Sequence, residues 1–359
     1  MKKTLLWAIW AGILFIPFKG IVAGLILALV IFFLSILGRP IISSLRKIPR
    51  VEIPKIPRYI YLPLAVVVFL GIPFINDYIT DIAILAGIYA LLALGLNIVV
   101  GFAGLLNLGF AAFYAIGAYS YALLNTKAGL GFWSALPASM AASTIFGLIL
   151  AMPALRLRGD YLAIVTLGFG EMTRLILNNW DSLTNGPNGI SGIARPSIIN
   201  YNLNSLRDYY FLVLILLILS SMVIKRIYSS KTGRAWSAIR ENEIAASACG
   251  INVTYYKLYA FAFGAFWAGL AGALFASKMG FISPESFTFM ESVFILSMVI
   301  LGGMGRVSGA ILGAVLLVGL PELLRGVELY RMISLGAGLV LLMIFRPQGI
   351  LGGRTRVSS

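Results

Sequence analysis

Apolar residues along this chain come in long continuous runs rather than at alternating positions, and polar residues gather in the short intervals between them. Ten such runs follow residue 58, at about 59–75, 82–100, 110–124, 132–152, 161–180, 209–224, 254–277, 292–301, 307–324 and 329–345. Several approach the roughly 20 residues that a helix needs to cross hydrocarbon, and two are too short for a simple crossing. Their continuity, and their richness in Leu, Ala and Gly, predict helices rather than barrel strands. The expected fold is all-α: a polytopic transmembrane helical bundle.

The polar intervals set the organisation. Residues 1–58 hold an apolar N-terminal hairpin and a basic linker with four prolines, Pro40, Pro49, Pro54 and Pro57. The opening, MKKTLLWAIWAGILFIPFKG, has the shape of a signal peptide. No clean small-x-small cleavage site follows it, and a second apolar run begins at once, so an uncleaved hairpin is expected. The basic linker suits the cytosolic face, where it can lie on the anionic headgroups of membrane lipid. Residues 59–346 form the transmembrane body and 347–359 a cytosolic tail.

Within the body, 225–253 is the one long basic interval of the second half. Between 225 and 252 it has five basic residues, Lys225, Arg226, Lys231, Arg234 and Arg240, against Glu241 and Glu243. Basic loops stay inside. Residues 234–249 contain neither Pro nor Gly and predict one helix, with Gly250 as its stop. Alternating sides from the linker puts 18 Lys and Arg on inside segments, Arg156, Arg158 and the C-terminal tail included, and six on outside segments. That predicts a multi-pass membrane chain with its C-terminus in the cytosol. The longest outside loop, 181–208, contains NGPNGISGI, whose turn-forming pairs predict a compact loop.

Two glycine-rich interruptions sit at membrane depth, one in each half of the body. The first holds Gly101, Gly104 and Gly109 with Asn97 and Asn107; the second holds Gly302, Gly303 and Gly305 with Arg306. Paired interruptions of this kind point to broken helices along a transport path, because irregular backbone survives at that depth only inside protein or along a cavity; the alternative is close helix packing through small residues. Charges within spans carry similar weight. Glu171 and Arg174, three apart, share one helix face. They form either a self-neutralising pair or a polar lining for a zwitterionic solute.

Other chemistry is excluded. The chain has no histidine and one cysteine, Cys249, which rules out a His/Cys metal cluster, a Ser-His-Asp triad and an intramolecular disulfide. No phosphate-cradling G-x-x-x-x-G-K-[ST] loop occurs, so any ATPase must be a separate chain. The net charge of +15 would suit nucleic acid, but its segregation follows the membrane rule, and no nucleic-acid partner is expected.

Six blocks occur in order along the chain: GLNIVVGFAGLLNLGFAAFYAIGAY, RLRGDYLAIVTLGFGEMTRLILNN, NGPNGISGI, AIRENEIAASACGINVTYYKLYAFAFGAFWAGLAGALFA, ILGGMGRVSGAILGA and MIFRPQGIL. They resemble branched-chain amino acid ABC transporter permeases of the LivM type, and the resemblance covers about 82–351. The resemblance implies a second homologous permease chain in a heterodimer, two cytosolic ATPase subunits that use ATP and Mg, an extracytoplasmic solute-binding protein and an amino acid substrate. This chain would bind no cofactor and would not be an enzyme. The resemblance also implies an ATPase-coupling segment at Arg240, Glu243, Ala245, Ala246 and Gly250. The family pattern places its acid six residues before the glycine. Here that position is Ile244, and the acid stands one earlier, at Glu243. A urea or short-amide permease and an ion-coupled secondary transporter are the alternatives.

Overall fold

The structure, a computed structural model, describes residues 71–74, 76–155, 157, 159–198, 201–202, 205–323, 336 and 349–351. All lie in one compact unit, Val68–Ser359. The expected N-terminal hairpin and linker, Arg156, Arg158 and the tail from 352 onward fall outside the described residues, as do most residues of the runs 59–75 and 329–345.

Eight of the expected runs appear as helices. They are α1 (Asp77–Leu96), α2 (Phe110–Thr126), α3 (Phe132–Ala154), α4 (Asp160–Asn179), α5 (Leu206–Tyr228), α8 (Val253–Met279), α9 (Phe289–Gly302) and α10 (Val307–Leu323). Two more, α6 (Lys231–Glu241) and α7 (Glu243–Ala248), fold from the basic interval. Among the described residues, Asp77–Phe102, Phe132–Pro153, Leu206–Tyr228 and Val253–Met279 are long and apolar enough to cross a membrane; Phe289–Gly302 and Val307–Glu322 are apolar but shorter. Local sequence explains the starts. Asn76, Ser205 and Asn252 each take a backbone N–H on a side-chain oxygen at the head of α1, α5 and α8, satisfying donors that a helix start leaves bare.

The long loop is compact, as expected, but it brings strands into a helical protein. Its β1 (Ile190–Ser191) pairs antiparallel with β4 (Phe281–Ile282), which follows α8; β2 (Ser197–Ile198) pairs with β3 (Tyr201–Asn202). Lys127, just past α2, donates to the Ser182 and Leu183 carbonyls at 3.1 and 2.9 Å, and Tyr121 donates to the Ala194 carbonyl.

α8 is the centre of the bundle, packed on α1, α2 and α3. Its glycines bring backbones together. A Cβ on Gly264 would lie 2.6 Å from Val99, and a Cβ on Gly117 of α2 would lie 2.5 Å from the Gly269 Cα. Close-packed interiors do not yield freely, so α8 is locked to its neighbours and displaces them when it moves. A lysine anchors each of its ends. Lys257 meets Glu243 of α7 at 2.8 Å and Lys278 meets Asp81 of α1 at 3.0 Å, both lysines being under a tenth exposed.

Candidate functional site

The basic interval folds as a bent hairpin. Ser230 caps α6 by accepting from the Thr232 N–H, and the helix buries Trp236, whose indole N–H donates to the Tyr256 carbonyl at 2.8 Å. The single helix expected over 234–249 is broken. Asn242 is extended, with φ −158° and ψ 113°, and its side-chain oxygen accepts from the N–H groups of Ile244 and Ala245 at 3.0 Å each. An asparagine offers its backbone neighbours an alternative to the helical ladder, and here that alternative ends α6 and starts α7.

Gly250 ends α7 as the sequence predicts. With φ +81° it sits in the left-handed region; its N–H donates to the Ser247 carbonyl and that of Ile251 to the Ala246 carbonyl, the paired closure of a Schellman motif. Ala246 is buried, while Ile244, Ala245 and Gly250 are exposed. A Cβ at Gly250 would meet nothing within 4 Å. Glu243, displaced by one position from the family pattern, has an inward task in its ion pair with Lys257 of α8.

Arg240, at the end of α6, reaches the first glycine interruption. Its Nη1 donates to the Gly101 carbonyl at 2.6 Å, and its aliphatic stem covers Gly104, where a Cβ would lie 2.8 Å from the Arg240 Cγ. The second interruption joins them, for the Gly305 N–H donates to the Asn97 Oδ1 at 2.9 Å. A Cβ on Gly101 would stand 2.6 Å from the Gly305 nitrogen. The two glycine segments, about 200 residues apart, therefore touch each other and the α6–α7 hairpin at one point.

The backbone there is irregular in two different ways. α1 runs on as a wider turn over Asn97–Phe102 and then unwinds until α2 begins at Phe110. In the second segment α9 stops at Gly302, and Gly303 and Gly305 reverse the chain into α10 with φ of +115° and +80°. Gly302 packs on the backbone of Gly309 across that reversal, so close glycine packing and broken helices occur together. Ile350 and Leu351 donate backbone N–H groups to the Leu301 and Gly302 carbonyls at 2.9 and 3.1 Å, closing the end of α9. Arg306 is exposed beside the cluster rather than within it.

Asn107 and Gly109 lie apart from that junction, halfway along α4. Gly109 is pressed against the Thr166 carbonyl and Gly170. The Asn107 Oδ1 accepts from the Gly109 N–H at 2.9 Å, and the Leu108 N–H donates to the Thr166 Oγ1 at 3.0 Å. The Ala111 N–H donates to the Ser292 Oγ of α9 at 2.9 Å. The starts of α2 and α9 thus meet beside the middle of α4.

Glu171 and Arg174 pair within α4, Nε to Oε2 at 3.0 Å. Arg174 also reaches Glu285, on the 3-10 turn Pro284–Phe287, at 3.4 Å. That third charge, like Lys257 and the Asn242 break, is missed in the sequence. The available signal for Lys257 was a lone cation one turn inside an apolar run, where charge is costly. Glu285 carried no local signal, because only folding brings it beside α4. Among the described residues no group of three or more His, Cys, Asp or Glu side chains comes together as metal ligands do.

Residues 78–345 match the family described as branched-chain amino acid transport system / permease component. The chain is 44% identical to the high-affinity branched-chain amino acid transport system permease protein LivM of Salmonella typhimurium, over 90% of this chain and 83% of that protein. It is 43% identical to LivM of Escherichia coli K12 with the same coverage. The permease protein LivH of Escherichia coli K12 is 28% identical over 75% of this chain and 92% of its own length. No solved structure matches. The family match runs through the whole described bundle and both glycine segments, and the chain belongs to the family of branched-chain amino acid transport system permease components.

Proposed function

We propose that this chain is one of two homologous permease subunits of an ATP-driven importer for branched-chain amino acids. It works with two ATPase subunits, which supply the ATP and Mg chemistry, and with an extracytoplasmic solute-binding protein. Family membership supports the permease role, and the likeness to both LivM and LivH supports a pore of two related chains. The end bearing α6 and α7 faces the cytosol, as does the C-terminus.

The observation that carries the mechanism is the joint contact of Arg240 with Gly101 and, through Asn97, of Gly305. The exposed turn at Ala245 and Gly250 is the part of the hairpin free to seat in an ATPase groove. When the ATPases close, α7 moves. Lys257 passes that displacement to α8, and Arg240 passes it to the two glycine segments. α8 is locked to α1, α2 and α3, so the bundle shifts as a block. Access then alternates between the two membrane faces around the irregular stretches.

The test is purification of the tagged chain in mild detergent with its bound subunits, followed by ATPase assay with leucine-loaded binding protein. Recovery of an ATPase and a second permease, with leucine-dependent turnover, is expected. A complex that answers only to urea or a short amide would overturn the substrate. A chain without any ATPase, whose transport follows ion gradients, would overturn the mechanism.

A further inference from the structure

A narrow crevice opens where the starts of α2 and α9 approach the middle of α4. Leu108, Gly170, Glu171, Thr288, Phe289 and Ser292 line it, and in this conformation it has no room for a solute. Its walls belong to separate elements, α4 on one side and the 3-10 turn leading into α9 on the other. Arg174, one turn along α4 from the lining residue Glu171, joins those two elements just outside the lining. It holds Glu171 of its own helix at 3.0 Å and Glu285 of the turn at 3.4 Å.

The two links are unequal. The Glu171 link is short and both side chains are at most a third exposed, whereas Glu285 is 69% exposed and its contact is long. Exposed ion pairs of that kind exchange readily with water and with other ions. The cluster holds two carboxylates and one guanidinium, so one negative charge is left over. With Glu285 displaced into water, the Arg174–Glu171 pair left behind is neutral and offers one charge of each sign, which a zwitterion matches. Its carboxylate replaces Glu285 on the guanidinium, which accepts carboxylates in a fork, and its ammonium takes the remaining charge on Glu171. Leu108 and Phe289 offer apolar surface to an aliphatic side chain.

We propose that the Arg174–Glu285 bridge is a gate over an amino-acid site in this crevice, with Arg174 and Glu171 as the groups that receive the two charged ends of the substrate. The proposal rests on the amino-acid importer reading above. A zwitterion opens the bridge by supplying its own charges in place of the bridge's, and a neutral amide lacks the carboxylate needed to displace Glu285. The gate therefore prefers amino acids over amides whatever the binding protein delivers.

The experiment uses the whole complex in proteoliposomes. Glu285→Gln weakens the latch, and ATPase turnover without any binding protein is expected to rise at least threefold. Arg174→Gln removes the carboxylate receptor, and leucine uptake is expected to fall at least tenfold at unchanged complex yield, with Arg174→Lys recovering part of it. Unchanged basal turnover in Glu285→Gln overturns the gate, and this variant alters a mostly exposed side chain, so it remains informative if Arg174→Gln does not assemble. Normal leucine uptake in Arg174→Gln overturns the site. Failure of the unmodified complex to move leucine would instead remove the amino-acid reading, and the basal turnover of Glu285→Gln would still decide the gate.

Discussion

Glu243→Ala should disconnect α7 from α8. At 2.8 Å the pair with Lys257 has a Coulomb attraction of about 6 kcal/mol at an effective dielectric of 20. Much of that is offset by the cost of taking both charges out of water, chiefly for Lys257, which is 3% exposed. Removing the acid alone keeps the desolvation cost of the lysine and loses the attraction. Breaking one side of a buried pair costs several kcal/mol; the quarter exposure of Glu243 lets water relieve part of it, which gives about 3 kcal/mol. That corresponds to a shift of roughly 150-fold in the equilibrium between docked and undocked α7. The neutral pair Glu243→Gln with Lys257→Met removes the stranded charge and should recover all but about 1 kcal/mol. Cys249, the only cysteine of the chain, is exposed just past the end of α7 and provides the probe. A spin label there should gain mobility in Glu243→Ala and lose it again in the double variant, and substrate-stimulated ATPase should fall at least tenfold and then return. Label mobility and ATPase that stay at the unmodified level in Glu243→Ala, or a double variant as damaged as the single one, would refute the reasoning.

Three further substitutions probe the junction and the packing. Arg240→Ala removes a hydrogen bond from a charged group worth about 1.5–3 kcal/mol; transport should drop at least tenfold while subunit association, measured by co-purification, is kept. Gly109→Val forces a side chain into the Thr166 backbone, an overpacking cost of about 1–3 kcal/mol or more, visible as a lower melting temperature and yield in detergent. Gly250→Trp points into open space and costs about 1–2 kcal/mol of left-handed strain; the chain should reach the membrane at normal levels with ATPase coupling lost, and normal transport would contradict ATPase docking at this turn.

The sequence by itself determined eight of the long helices. Runs such as 254–277 and 307–324 reappear within a few residues as Val253–Met279 and Val307–Leu323, because a span's ends are set locally, by where apolar residues stop and a capping residue such as Asn252 begins. It also marked both glycine segments and the Gly250 stop, since backbone irregularity and left-handed φ leave a compositional trace. The tertiary structure decided which of these meet. Arg240 finds Gly101 across 139 positions, Asn97 finds Gly305 across 208, and Arg174 finds Glu285 across 111. No local pattern encodes such partners, because a hydrogen bond or ion pair between helices depends on how their faces are turned toward one another. Asn242 shows the same limit at short range. Helix propensity favoured one continuous helix, and the structure keeps a break whose second arm is anchored by a buried lysine on a neighbouring span.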